Sequence, residues 1–443
     1  MNQTLSRELI STRREKLAEL ARSNPQMVLT TIAHHIDLDW LQEAWRRTRK
    51  DGAVGIDGVT AADYEANLDA NLQHLLNRFK SGRYRAPAVR RVRIPKADGK
   101  TRPLGIPTLE DKILQRAVLM ALEPIFEQDF LDCSYGFRPG RGAHQAIEAL
   151  WRGLMALKGG WVIDLDIRRY FDCIEHDHLR GIFTQRVRDG VLIRTLGKWL
   201  NAGVLEDGAI RHPDRGTPQG GVVSPLLANL YLHEVLDQWF EHTVKPRLHG
   251  RAFLVRYADD AVVVFELEAD ARRVLAVLSK RFGRYGLELH PDKTRLVPFQ
   301  RPGAGARPTP SMGGFDFLGF THYWGRSRKG RHVVRRKTAS KRLTAALQRI
   351  AKWCRDHRHW KVAEQHRVLC RKLRGHYAYY GITGNNRALA DFRHQAGRRW
   401  RYWLNRRSWK ARMHWTRFSQ LLDRYPLPPE RVVQSIYRHG ANV

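Results

Sequence analysis

The pattern of apolar and polar positions predicts strands in the middle of the chain and helices towards both ends. Apolar residues alternate between positions 84 and 107, as in half-buried strands, and Asp98-Gly99 supplies a hairpin turn. Residues 160–300 predict strands and helices in alternation, ending in a helix and a strand. From Thr338 onward the apolar period becomes helical. Helices packed against a small antiparallel sheet predict an α+β fold.

The clearest hairpin lies between Phe253 and Phe265. Two β-prone runs flank the adjacent aspartates Asp259 and Asp260, and neither is followed closely by a Lys or Arg. Like charges side by side repel, and a divalent cation would neutralise them. An exposed Asp-Asp turn explains this hairpin equally well when it is taken alone.

A predicted strand with two aspartates, Trp161–Ile167, favours the cation site over the exposed turn. Ile163 and Leu165 share one face, and Asp164 and Asp166 share the other. Further along, the Gly/Pro-rich turn 216–225 leads into an apolar run. A third carboxylate near the hairpin would complete a pair of metal sites that act on the attacking and leaving oxygens of a displacement reaction.

The charge of the chain points to a polyanionic partner. The net charge is +34, and the region from Thr321 to Val443 has 31 Lys and Arg against 5 Asp and Glu, which gives +26. At 42% hydrophobic residues the chain can build cores, so it is not a disordered polycation. Histones and ribosomal proteins have the same bulk charge, and charge alone does not identify an enzyme.

The four cysteines show no paired spacing, which is typical of a protein of the reducing cytosol. The sequence has no run of 18 apolar residues and no apolar leader at Met1–Leu20, so a membrane partner is not expected. We therefore expect a cytoplasmic protein, associated with the nucleoid in a bacterium.

Together these motifs, in their order, resemble the group II intron-encoded reverse transcriptase/maturase family, from about residue 30 to about residue 430. The matching segments are Gly55–Val59, Ile94–Lys96 with Thr101–Pro107, Tyr135–Gly140, Asp166–Asp172, Thr217–Gly220, Tyr257–Asp260, Leu289–Thr294 and Phe317–Phe320. The resemblance implies a right-hand polymerase whose fingers and palm are followed by a three-helix thumb. Its implied boundaries are an N-terminal extension over 1–83, fingers over 84–159, palm over 160–325, thumb or maturase domain over 326–425 and a tail over 426–443.

By the same resemblance, Asp166, Asp259 and Asp260 are the catalytic residues. Together with the backbone carbonyl of Ile167 they would hold two Mg²⁺ ions, for which Mn²⁺ is a possible substitute. The implied nucleotide contacts are Lys96, Arg102, Phe171, Gln219 and Lys293. The implied template and primer contacts are Arg138, Arg141, Gly220, Phe317 and Gly319.

Several of these residues also have plain structural interpretations. Lys96 and Arg102 fit surface charge on an edge hairpin, and Lys293 fits a solvated lysine as well as a proton donor to pyrophosphate. Core packing would explain Phe171 and Phe317, and an aromatic in the Tyr135–Arg141 loop fits the interior as well as an RNA base.

The implied function is RNA-directed DNA polymerisation, with an RNA template, a DNA primer or target and deoxynucleoside triphosphates as partners. The RNA would be group II intron RNA, and the protein would assist splicing and retromobility. A non-enzymatic splicing cofactor, a reverse transcriptase recruited to host defence and an RNA-dependent RNA polymerase remain alternatives. We expect no C-terminal His/Asn-type nuclease domain, because few residues follow Pro429.

Overall fold

The structure is a computed structural model that describes residues 2–435 except 96–100, 207–208, 212–214, 218–219, 304–312, 328 and 409–411. The chain divides into two compact units. The first contains the residues up to Ala146 together with Val162–Leu296, and the second contains Ile147–Trp161 together with the residues from Val297 onward.

Helices make up most of both units. They are α1 (Asn2–Ser23), α2 (Leu38–Arg47), α3 (Ala61–Glu65), α4 (Leu68–Lys80), α5 (Leu109–Asp129), α6 (Ala143–Leu157), α7 (Tyr170–Cys173), α8 (His176–Arg186), α9 (Gly190–Leu200), α10 (Ser224–Leu232), α11 (Glu268–Gly283), α12 (Ser340–Asp356), α13 (Val362–Tyr380), α14 (Asn386–Leu404) and α15 (Trp415–Arg424). A π-helix, His233–Val244, continues α10, and short 3₁₀ turns lie at Ala33–His35 and Lys245–Arg247.

Within the described residues, the strands form three sheets. They are β1 (Val89–Pro95), β2 (Thr101–Ile106), β3 (Gly159–Leu165), β4 (Val204–Glu206), β5 (Ala209–Arg211), β6 (Ala252–Tyr257), β7 (Asp260–Phe265), β8 (Arg295–Gln300), β9 (Gly314–Phe317), β10 (Phe320–Arg326) and β11 (His332–Thr338). The strand orders are β2-β1-β4-β5, β6-β7-β3-β8 and β11-β10-β9. Both β3 and β8 continue from one unit into the other.

In the first unit, α5 is the central helix. Thr108 caps its N-terminus by accepting a hydrogen bond from the Asp111 amide, and α1 and α2 pack against it. The Trp40 indole, fully buried on α2, donates to the Ala117 carbonyl at 2.9 Å. This core supports the loops that carry the motifs of this unit.

The predicted hairpin at residues 253–265 is present as β6 and β7, in antiparallel register with Tyr257 opposite Asp260. Nearly every residue of β7 is buried, because the strand lies inside its sheet between β6 and β3. The first hairpin is present as β1 and β2, with Pro95 opposite Thr101. Its predicted Asp98-Gly99 turn lies outside the described residues.

The second unit combines the sheet β9–β11 with the helical region. Apolar faces of α12, α13 and α14 enclose one core, with Trp400 fully buried and Trp353 and Trp403 packed against it. The three predicted helices are therefore present. The sequence analysis missed β10 and β11, and it also missed α15, which adds Phe418 to this core.

The predicted α+β class with a helical region after the sheets is confirmed. Among the described residues, no helix is long and apolar enough to cross a membrane.

Candidate active site

Two predicted catalytic carboxylates lie on neighbouring strands of the sheet β6-β7-β3-β8. Asp166 follows directly after the end of β3, and Asp259 lies in the two-residue turn that joins β6 to β7. Asp260 begins β7 and is exposed. The fold brings Asp166 and Asp259 together because each lies at the end of a buried strand, and these strand ends are adjacent in the sheet.

The pKa of Asp259 is influenced by two other predicted site residues, Arg102 and Asp166. Burial raises the pKa of the Asp259 carboxyl above its usual range, the Arg102 charge opposes this rise, and the Asp166 carboxylate adds to it. A cation beside Asp259 would favour the ionised form of this carboxyl, which burial and the Asp166 charge disfavour. Among the described residues, no group of three or more His, Cys, Asp or Glu side chains forms a complete metal site.

The segment Leu289–Thr294 lies beside the end of β3. The Asp166 backbone carbonyl accepts hydrogen bonds from the His290 amide at 2.8 Å and from the Thr294 hydroxyl at 3.2 Å. The Lys293 ammonium donates to the Asp166 carboxylate at 2.9 Å. Lys293 is thus an ion-pair partner of a predicted catalytic residue, which the sequence analysis did not anticipate.

The loop that follows Arg215 approaches both α7 and the first hairpin. The Thr217 amide donates to the Phe171 carbonyl at 2.9 Å. Gly220 has φ +121°, and a Cβ there would lie 2.3 Å from the Gly105 carbonyl oxygen of β2, so only glycine fits. A cavity of about 260 Å³ adjoins this loop; its lining includes Arg91, Gly105, Arg169, Asp172, Arg215 and Thr217.

Other predicted nucleotide contacts have mixed placements. Arg102 is exposed on β2, and Phe171 is half-buried at the start of α7, with its ring centroid 5.4 Å from that of Tyr170. Lys96 and Gln219 lie outside the described residues. The roles of all these side chains remain predictions.

The two predicted template arginines differ sharply. Arg138 is buried, and its guanidinium donates to the Glu127 carboxylate at 2.7 Å and to backbone carbonyls of Phe130, Leu131 and Ser134. This placement gives Arg138 a structural role. Arg141 is more accessible, pairs with Asp132 at 2.6 Å and lies over the Tyr135 ring.

Phe137 of the same loop is 57% exposed and has φ +56°. A large aromatic side chain in the left-handed region is an outlier that requires support from its surroundings. An exposed ring held this way suits stacking on an unpaired base, so Phe137 is a better candidate for a template contact than Arg138.

The predicted primer contacts, Phe317 and Gly319, lie in the second unit. Phe317 is buried at the end of β9, and Leu318 and Gly319 form the turn into β10 with φ +48° and +81°. The Tyr379 hydroxyl donates to the Leu318 carbonyl at 2.9 Å. The turn is therefore fixed by α13 within its own unit.

Sequence reasoning missed the buried polar groups that support these loops. Asp111 accepts hydrogen bonds from Tyr84, Trp199 and Gln115, and Gln115 in turn accepts from the Val222 amide at 2.6 Å. Burial raises the pKa of the Asp111 carboxyl to about 6. Arg256 is another buried polar residue that the sequence analysis missed. It lies on β6 between apolar neighbours, and a charged residue at an inward position of a predicted strand was a signal available in the sequence.

Comparison with known proteins agrees with this geometry. The profile of the family described as reverse transcriptase (RNA-dependent DNA polymerase) matches residues 94–322, and the chain belongs to this family. The family prediction is thereby confirmed, and with it the assignment as an enzyme that polymerises DNA on RNA. Enzymes of this family use divalent metal ions and act on nucleic acids.

The curated relatives point to one branch of the family. Protein YkfC of Escherichia coli is 37% identical over 65% of this chain and 84% of its own length. The group II intron-encoded protein LtrA of Lactococcus lactis is 34% identical over 50% of this chain. The nuclear intron maturase 2 of Arabidopsis thaliana is 30% identical over 31% of this chain. The matches span only 37% of LtrA and 24% of the plant protein.

Proposed function

We propose that the protein copies RNA into DNA by nucleotidyl transfer at Asp166, Asp259 and Asp260, and that its natural template is group II intron RNA. The observation that carries the catalytic proposal is that Asp166 and Asp259 lie at adjacent strand ends of one sheet, where the Asp166 carboxylate contributes to the raised pKa of Asp259. The relatives named for group II introns support the template.

The donor set fits divalent cations. Carboxylate and carbonyl oxygens are the ligands that Mg²⁺ prefers, and this ion is commonly held by one or two carboxylates together with substrate phosphates. Asp166, Asp259, Asp260 and the Ile167 carbonyl would hold two Mg²⁺ ions, or Mn²⁺ in their place. When bound, such ions supply Lewis acidity to the primer hydroxyl and charge neutralisation to the triphosphate.

The protein's own side chains would orient the substrates. Arg102, exposed on β2, would pair with the triphosphate of the incoming deoxynucleotide, as would Lys96. Gln219 and Gly220 would lie against the new base pair, and Phe171 would pack against the sugar. Lys293, which donates a hydrogen bond to Asp166, would stabilise negative charge at that carboxylate or donate a proton to pyrophosphate.

Nucleic acid would be bound by both units. In the first unit, Arg141 and Phe137 are the proposed template contacts. In the second unit, the proposed primer contacts are Phe317 and Gly319, and the large positive charge would bind intron RNA during splicing and retromobility. The family match does not favour the non-enzymatic or host-defence alternatives.

Primer extension on an RNA template tests the catalytic proposal. Asp166→Asn and Asp259→Asn should each abolish extension, because a carboxamide binds divalent cations weakly, while RNA affinity should be unchanged. Asp177→Asn is the matched control, since the Asp177 carboxylate is fully exposed on α8. Extension at the wild-type rate in either active-site variant would refute the assignment.

A further inference from the structure

Arg256 is a fully buried charge two residues before Ala258, the first residue of the turn that carries Asp259. It lies on β6, adjacent to Tyr257, and none of its surface is exposed. Its backbone amide donates to the Cys133 carbonyl at 2.7 Å, and its carbonyl accepts from the Tyr135 amide at 2.9 Å. Both backbone polar groups of Arg256 are therefore fixed by hydrogen bonds to the segment Cys133–Tyr135.

The guanidinium of Arg256 joins three parts of the first unit. It donates two hydrogen bonds to the Asp237 carboxylate, at 2.7 and 2.5 Å. Its Nη1 donates to the Asn229 side-chain oxygen and to the Ala258 carbonyl, both at 3.0 Å. Ala258 is the turn residue next to Asp259, so the buried charge holds the backbone of the turn directly.

Asn229 extends this network to the far side of the turn. Its side-chain amide donates to the Gly136 carbonyl at 2.6 Å. A Cβ at Gly136 would lie 2.3 Å from the Ala258 amide nitrogen, so the two backbones touch. The turn is thus enclosed by Arg256 on one side and by Gly136, held by Asn229, on the other.

The turn needs such support because Ala258 has φ +56°. This conformation is unfavourable for an alanine, and it persists only where the surroundings impose it. A buried ion pair is itself weak evidence for stability, since apolar residues of similar volume often serve as well. A pair that bonds the strained turn can do what apolar residues cannot, which is to fix the position of a carbonyl.

We propose that Arg256, Asp237 and Asn229 are positioning residues that set the place of the Asp259 carboxylate for metal binding. The inference rests on the proposed function, in which Asp259 is a metal ligand. The residues contact neither substrate nor metal; they act through the backbone of Ala258. We therefore expect them to affect the catalytic step and metal affinity more than substrate binding.

The test compares Arg256→Lys, Asp237→Asn and Asn229→Ala with Arg186→Lys in the full-length protein. Arg186 is the matched control, because it is also buried, pairs with Asp129 at 3.0 Å and donates to backbone carbonyls of residues 21–27. The measurements are Mn²⁺ binding by electron paramagnetic resonance, kcat and KM for primer extension, and thermal unfolding. Asp259→Asn defines the loss of Mn²⁺ binding expected when that ligand is removed.

We expect Arg256→Lys to lower kcat by about 10- to 100-fold, the size of effect that a displacement of about 1 Å produces. Mn²⁺ binding should weaken towards that of Asp259→Asn, and KM for the primer–template should stay unchanged. Asn229→Ala, which keeps the ion pair, should show the same pattern in weaker form and guards against a variant that fails to fold. Arg186→Lys should lower only the unfolding temperature.

The proposal is overturned if the three network variants behave like Arg186→Lys, with reduced stability but normal kcat and Mn²⁺ binding. A different result identifies failure of the proposed function instead. If Asp259→Asn leaves Mn²⁺ binding and extension unchanged, then Asp259 is not a metal ligand, and the network has no ligand to position.

Discussion

At the scale of single residues, Phe171 poses the sharpest question. Its half-buried ring lies five residues after Asp166, and its carbonyl holds the loop of Thr217. A bulky side chain at this point would exclude the 2′-hydroxyl of a ribonucleotide. Overpacking of this kind costs about 1–3 kcal/mol, which corresponds to roughly 5- to 150-fold discrimination.

The substitution Phe171→Val separates a sugar gate from a core residue. If Phe171 is a gate, the variant should keep deoxynucleotide extension and gain ribonucleotide incorporation within that range, measured as the ratio of the two kcat/KM values. Phe183→Val is the control, because Phe183 is buried in α8. This variant should lose thermal stability and both extension activities together, with no change in the ratio of the two kcat/KM values. A wild-type enzyme that prefers ribonucleotides would refute the interpretation of Phe171 as a sugar gate.

At the scale of elements, the sheet β9–β11 contains an unusual buried histidine. His322 is fully buried, its ring stacks on Phe315 at 5.1 Å, and neither ring nitrogen has a hydrogen-bond partner among the described residues. Burial lowers the pKa of His322 to about 3, and the charge of Arg336 on the next strand acts in the same direction. The native sheet therefore requires a neutral imidazole.

Acid should destabilise the second unit through this residue. An unfolded histidine titrates near pH 6.5, and its folded pKa is depressed, so stability is lost as pH falls from about 6.5 towards 3. The loss approaches about 1.4 kcal/mol per pH unit for one group. His322→Phe should flatten the pH dependence of the unfolding temperature between pH 6.5 and 4, measured by calorimetry. The exposed His359→Phe should leave that slope as it is in wild type.

The elements of the fold differ in how far the sequence predicted them. The hairpin β6–β7, strand β3 and the helical faces around Trp400 followed from local periodicity. Strands β10 and β11 carry His322 and Arg336 at inward positions, so their polar residues hid the alternation. Arg256 and Asp237, 19 residues apart, meet only in the tertiary fold. A search for alternating apolar residues does not detect buried polar side chains, and the missed residues share that feature.

At the scale of the whole molecule, charge is divided unequally. The region from Thr321 to Val443 holds +26 of the +34, and the whole of this region belongs to the second unit. Deleting this region would remove nearly all of β10 and the whole of β11, leave strand β9 without its partner, and remove the Val334 carbonyl that accepts from Trp151 at 2.8 Å. Charge substitution is therefore a better test of RNA binding than truncation.

Replacing the exposed Arg349, Arg371 and Arg374 by Gln should weaken RNA binding and reduce the salt dependence. Each lost phosphate contact should lower the slope of log affinity against log salt by about 0.7 to 0.9. Titrations at several salt concentrations measure this slope. The control replaces Arg272, Lys280 and Arg284, exposed in and directly after α11 of the first unit. If the slope of log affinity against log salt falls in the control variant but not in the variant of Arg349, Arg371 and Arg374, RNA binds mainly to the first unit.

The π-helix His233–Val244 has a consequence for how this protein can vary. Asn229 and Asp237 are eight residues apart, and in a regular α-helix of 3.6 residues per turn they would point roughly 80° apart. The wider turns of the π-helix, with bonds from i to i+5, bring Asp237 back towards the face of Asn229, so that both reach one guanidinium. Deleting one residue there would separate them although every side chain of the network survived. The length of this segment, and not only its composition, is a constraint on insertions and deletions.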